Sequence, residues 1–130
     1  MTPLAVSGAI TAPDQIHDAF MAATNTNDVD ALVAMYDPDG VAVQLDGAAC
    51  TGGAAMRAMF TGLTEAIRRI DGSTRKLFVA GDIALSSASW TADIVLPDGT
   101  VVQQQGTTAE VSRRQPDGTW KLVIDDPMFA

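Results

Sequence analysis

The sequence predicts an α+β domain in which helices come first and a meander of long antiparallel strands follows. Three observations lead there. Apolar residues recur at helical spacing through the first half of the chain. The second half alternates in long runs that are separated by Gly81-Asp82, Pro97-Asp98-Gly99 and Pro116-Asp117-Gly118. Proline presets φ and glycine accepts positive φ, so the two Pro-Asp-Gly segments read as tight turns. A sheet of such strands must cover one face, and the early helices are the available cover.

Residues 1–12 are expected to form a loose arm ahead of a domain spanning 13–130. Pro13 suits the first position of a helix, with Thr11 as its cap, and Ile16, Ala19, Phe20 and Ala23 follow on one face. The run Thr24-Asn25-Thr26-Asn27-Asp28 ends that helix and caps a second, whose inner stripe is Val29, Leu32, Val33 and Tyr36. Asp37-Pro38-Asp39-Gly40 breaks the second helix. Val41, Val43 and Leu45 suggest a short strand, and Asp46-Gly47 a turn. From Gly52 to about Ile67 a third helix is predicted, with Met56, Met59, Phe60 and Leu63 at i, i+3, i+4 and i+7. Strands are predicted over Lys76 to Ala80, Ile83 to Leu96, Thr100 to Arg114 and Thr119 to Asp126.

Composition excludes several classes of function. Acidic residues outnumber basic ones 16 to 8, and the resulting net charge of −8 opposes nucleic-acid phosphates and anionic lipid. Arg68, Arg69, Arg75 and Lys76 are too few to reverse that field and read as a solvated strand edge. Cys50 is the only cysteine and His17 the only histidine, so neither an internal disulfide nor a structural zinc site can be assembled. No metal and no cofactor are expected. The start of the chain lacks the pattern of a signal peptide, and no stretch approaches the roughly 18 apolar residues of a membrane span. The expectation is a cytoplasmic protein.

Three patterns carry a resemblance. Asn27-Asp28-Val29-Asp30-Ala31-Leu32-Val33-Ala34-Met35-Tyr36 is similar to a "gDxdalvalYadD" helix. Asp46-Gly47 through Gly52 and the third helix are similar to a "dG…G…I…f" segment. Arg113 through Asp125, with Asp117-Gly118-Thr119-Trp120-Lys121-Leu122, resembles an "R…dGtWki" hairpin. In this order, over about residues 13–127, they resemble the nuclear transport factor 2-like superfamily and its SnoaL-like and ketosteroid-isomerase-like members. The resemblance implies a cone, a strongly bent, mostly antiparallel sheet wrapped around N-terminal helices with a pocket at its open end. Members include enzymes, carriers and assembly domains, so fold does not assign function.

The resemblance does not carry ketosteroid isomerase chemistry. The position of that enzyme's base holds Gln44, whose carboxamide takes no proton at neutral pH. Its first-helix tyrosine falls at Phe20, which has no hydroxyl, and its protonated acid falls at Glu110. A scytalone-dehydratase-like site needs two histidines, and His17 stands alone, read here as a solvated helix residue. Cys50 is read as a small buried residue, and Trp90 and Trp120 as packing or interface residues on long strands.

Strict alternation places Glu110, Val123 and Asp125 on one face of the last hairpin, with Glu110 opposite Val123 and diagonal to Asp125. Trp120, Leu122 and Ile124 take the other face. The first face is either the pocket wall, shared with Phe20, Tyr36, Gln44 and Met59, or the exposed edge of the sheet. If it is the pocket, one of the two acids is expected to stay protonated near neutral pH. A salt bridge from Arg113 or Arg114 would work the other way. Three functions stay open. The first is binding of a small, mostly apolar molecule. The second is acid–base chemistry on such a molecule (isomerase, dehydratase or cyclase type) with Glu110 or Asp125 as proton carrier. The third is an accessory dimerisation module. A homodimer through the Trp120, Leu122 and Ile124 face is expected.

Overall fold

The computed structural model describes residues 9–130. A short 3-10 turn, Pro13–Gln15, leads into α1 (Ile16–Asn25), followed by α2 (Val29–Ala34), β1 (Tyr36–Val43), β2 (Ala49–Thr51), α3 (Gly53–Ala66), β3 (Ile67–Ala80), β4 (Ile83–Val95), β5 (Val101–Thr107), β6 (Ala109–Arg114) and β7 (Trp120–Asp126). The strands form one curved, open sheet in the order β2-β1-β7-β6-β4-β3, with β5 paired to β4. All pairings are antiparallel except β1 with β7. This is the α+β cone that the sequence predicts.

The helices begin and end for local reasons. Asp28 caps α2 by accepting the Ala31 N–H at 3.0 Å. Thr11 does not cap the first turn. Its N–H donates to the side chain of Gln15, and Ala12 takes the cap position without a side-chain bond. Eight residues of the expected arm lie outside the described residues, but Ile10 is buried and its carbonyl accepts the Trp120 N–H, so the packed body begins before residue 13.

Four expectations need correction, each for a physical reason. Tyr36 is not on α2 but opens β1, where it pairs with Leu122. The Asp37-Pro38-Asp39-Gly40 segment stays within β1 as an irregularity rather than ending an element. There Gly40 sits so close that a Cβ would lie 2.9 Å from the Leu122 carbonyl oxygen. Second, β3 runs from Ile67, well ahead of Lys76, and continues unbroken through Asp71-Gly72-Ser73. Gly72 is needed because a Cβ there would meet the Ser89 carbonyl at 2.7 Å. Third, the run from Thr100 to Arg114 is two strands on the same edge of β4. They meet at Thr108, whose hydroxyl accepts the Ala88 N–H in place of a backbone carbonyl.

The fourth correction matters most. A bulge in β7 places Val123 and Ile124 across from one step of β6, since Val111 pairs with Ile124 and Ser112 with Leu122. Alternation slips by one residue there. Trp120 and Leu122 therefore point inward and are buried, Ile124 points outward, and Asp125 returns inward. The expected outer face of Trp120, Leu122 and Ile124 does not exist as one surface. Val123 lies off the cavity.

Two apolar clusters fill the cone. One joins Ile16, Leu32, Tyr36, Phe60, Trp120 and Leu122, and the other joins Ile67, Ile70, Trp90 and Ala92. They are not fused into a single core, and a cavity opens between them.

Candidate functional site

The cavity measures about 410 Å³ and takes its walls from both clusters, with Phe20, Met59, Phe60, Ile70, Trp90 and Leu122 among them. That is within the size range of small-molecule sites. Phe60 is almost fully buried and holds the rings of Phe20 and Tyr36 at centroid distances of 6.1 and 5.6 Å. Gln44, at the end of β1, also lines it. Trp90 closes one side, its indole N–H donating to the Pro127 carbonyl at 2.8 Å.

Two carboxyls stand in this apolar space. Glu110 and Asp125 are direct register partners across β6 and β7, nearer than the diagonal placement expected from strict alternation, because the bulge removes a step. Both line the cavity. Asp125 Oδ2 accepts the Tyr36 hydroxyl at 2.5 Å. Glu110 Oε1 accepts the Ser86 hydroxyl at 3.0 Å and lies 2.8 Å from His17 Nε2. No protein group bonds the second oxygen of either acid among the described residues. Yet the Ser112 hydroxyl is the one sealed, unpartnered side-chain polar atom there. Glu110 Oε2 and Asp125 Oδ1 are therefore open to the cavity.

Burial is the main force on Asp125. Loss of hydration, reinforced by the adjacent Glu110, outweighs the Tyr36 hydrogen bond and raises its pKa from 3.8 to about 7. The same burial, followed by the negative field of Asp125, pushes the Tyr36 hydroxyl well above its usual value. The arginines do not interfere. Arg113 reaches Asp37 at 3.4 Å and Arg114 reaches Asp82 at 2.7 Å, both away from the acids.

His17 is the residue that sequence reasoning misplaced. It is buried rather than solvated, and its Nδ1 lies 2.6 Å from the Thr74 hydroxyl. A signal existed. His17, Phe20 and Thr24 share one face of α1 at i, i+3 and i+7 with the buried Ile16 and Ala23 beside them. Thr74, Ser86 and Trp90 could not be found, because nothing in sequence ties one strand residue to His17, another to Glu110 and a third to the cavity wall. Cys50 is buried and unpaired. Among the described residues no three histidine, cysteine, aspartate or glutamate side chains converge as a metal site. No helix there is long and apolar enough to cross a membrane.

A bent sheet around helices, with a cavity between two core clusters, defines the class as nuclear transport factor 2-like. Residues 17–122 match the SnoaL-like domain, and the chain belongs to that family, whose fold binds small molecules. Solved structures agree on the fold. A ketosteroid isomerase-like protein of Erwinia carotovora atroseptica aligns with a TM-score of 0.76 at 18% identity, over 84% of this chain and 86% of that one. A nuclear transport factor 2-like protein of Salmonella enterica Typhimurium aligns at 0.74 and 12% identity, over 90% and 89%. A proposed aromatic ring hydroxylase of Novosphingobium aromaticivorans aligns at 0.72 and 23% identity, over 96% and 89%. No curated protein matches the sequence.

Proposed function

We propose that this domain binds a small, mostly apolar molecule in the cavity and moves a proton on it, with Glu110 and Asp125 as the proton carriers. One observation carries the reading: two adjacent carboxyls, each anchored through one oxygen, turn the other into the same apolar space. With its pKa near neutrality, Asp125 can act as donor or acceptor at ordinary pH. The described cavity lining contains no lysine or arginine. An anionic ligand would meet two carboxyls, and the one basic side chain in the lining, His17, is already bonded to Glu110, so the substrate is uncharged at the buried end.

β-Tetralone, an apolar bicyclic ketone with acidic α-hydrogens, is a direct probe. The protein should accelerate deuterium uptake at its α-carbon in D₂O, as followed by NMR. Glu110→Gln and Asp125→Asn should each lower that rate by about 10²–10⁴, the usual worth of a positioned acid or base. Naphthoate, of similar size but anionic, should bind at least about ten-fold more weakly than the ketone. A parent protein no faster than buffer would end the proton-transfer reading and leave a simple binder.

Pairing of two copies is a second proposal, supported by the outer sheet face. Phe78, Leu85, Val111 and Ile124 are successive register partners across β3, β4, β6 and β7. Phe78, Leu85 and Ile124 are 64%, 49% and 47% exposed, which makes a continuous apolar row. Light scattering should give a dimer at micromolar concentration, and Leu85→Lys should give a folded monomer. A monomeric parent protein would remove the proposal.

A further inference from the structure

We propose that His17 and Thr74 form a proton conduit through the cavity wall, joining Glu110 to bulk water. The inference rests on the reading of Glu110 as a proton carrier. Its basis is the division of labour between the two oxygens of that residue. Oε2 opens into the cavity, whereas Oε1 points into the wall, 2.8 Å from His17 Nε2. The far nitrogen of the same ring, Nδ1, is 2.6 Å from Thr74 Oγ1. Thr74 lies on β3, the terminal strand of the sheet path, and is exposed, but it does not line the cavity. Its exposed surface therefore faces outside. A continuous line of hydrogen bonds runs from the cavity, through a buried imidazole, to solvent.

Two of the arrangements that the hydrogen bonding permits keep the ring neutral, and they are the two ends of one proton step. In the first, Glu110 is protonated and donates to Nε2, while the ring donates from Nδ1 to Thr74. In the second, Glu110 is a carboxylate accepting from Nε2–H, while Nδ1 accepts from the Thr74 hydroxyl. Going from the first to the second, Glu110 gives its proton to Nε2. The ring gives its Nδ1 proton to Thr74, and the Thr74 hydroxyl gives its own to water. One proton leaves the cavity, and its negative charge stays on Glu110, which is left as the carboxylate while the ring and Thr74 remain neutral. The reverse step brings a proton in from solvent and resets the ring. A substrate proton taken by Glu110 can thus be exported and replaced by a solvent proton within one outward and one inward step.

Because His17 is the only histidine, its ring signals need no assignment by mutagenesis. The test uses ¹⁵N-labelled protein without ligand and measures exchange of the imidazole N–H protons with water by NMR. Thr74→Val keeps the β-branched shape but breaks the line. It should slow that exchange at least about ten-fold, and Thr74→Ser should restore it. The same Val variant should lower deuterium uptake by β-tetralone by a similar factor while leaving its binding unchanged. Unaltered N–H exchange in Thr74→Val would overturn the conduit, since the ring would then be exchanging through the cavity. That result would leave the roles of Glu110 and Asp125 standing. A parent protein with no effect on the ketone would end those roles separately.

Discussion

Asp125→Asn is expected to be more stable than the parent chain at pH 8 by about 2–4 kcal/mol. A rise in pKa from 3.8 to about 7 means that the folded state holds the Asp125 proton more tightly than the unfolded state does. At about 1.4 kcal/mol per unit, that shift is worth about 4 kcal/mol. The sign follows from proton counting. Between about pH 4 and pH 7 the folded chain binds more protons, so its stability falls as pH rises through this window and levels off above it. An amide in the same place carries no charge and can still accept the Tyr36 hydroxyl. Urea unfolding from pH 4 to 8 should therefore show a falling midpoint in the parent chain, with a much flatter profile in Asp125→Asn. Parallel profiles would show that the acid is not held in a dehydrated site. A gain in stability with a loss of proton transfer would mark Asp125 as a residue kept at a cost in folding free energy.

Phe60→Ala should cost about 3–5 kcal/mol, the range for deleting a fully buried aromatic ring. That is a large part of the roughly 5–15 kcal/mol that stabilises a typical domain. Phe60 is 1% exposed and stands between the rings of Phe20 and Tyr36. Its loss should also admit water beside the Tyr36 hydroxyl. Tyr36 is the only tyrosine, so the tyrosinate absorbance reports on it alone. Its titration, displaced upward in the parent chain by burial and then by Asp125, should move back toward 10 in the variant. A loss below about 1 kcal/mol, or an unmoved titration, would mean that the ring does not wall off this site.

The parts of the fold that were legible in sequence are those where local periodicity and packing agree. The third helix lies over Gly53–Ala66, with Met56 and Phe60 facing the core as their spacing implied. The Pro-Asp-Gly turns closed the hairpins where expected. The parts that were not legible depend on a partner strand. The expected strand begins only at Lys76, because the stretch from Ile67 to Arg75 shows its pairing only with β4 beside it, where Gly72 answers a close approach. Phe20, Tyr36, Gln44 and Met59 were placed at the cavity through family resemblance, and the structure lines it with all four. Val123 failed because alternation assumes an unbroken strand. The burial of His17 was legible in the helix face it shares with Phe20 and Thr24, but its partners, on strands 57 and 93 residues away in sequence, were not.

The bulge at Val123 also decides which molecule the site is. Asp125 and Asp126 are neighbours of identical chemistry. Without the slipped step, continuous alternation from Leu122 would turn Ile124 and Asp126 inward and carry Asp125 outside. The composition, charge and volume of the chain would be unchanged, but the inward carboxyl would have lost its place beside Ala42 and its bond to Tyr36. What distinguishes the two aspartates is stored in the hydrogen-bond frame of the hairpin and not in residue type. A search for related sites by residue identity alone would count either aspartate as the same acid. Only the frame tells them apart.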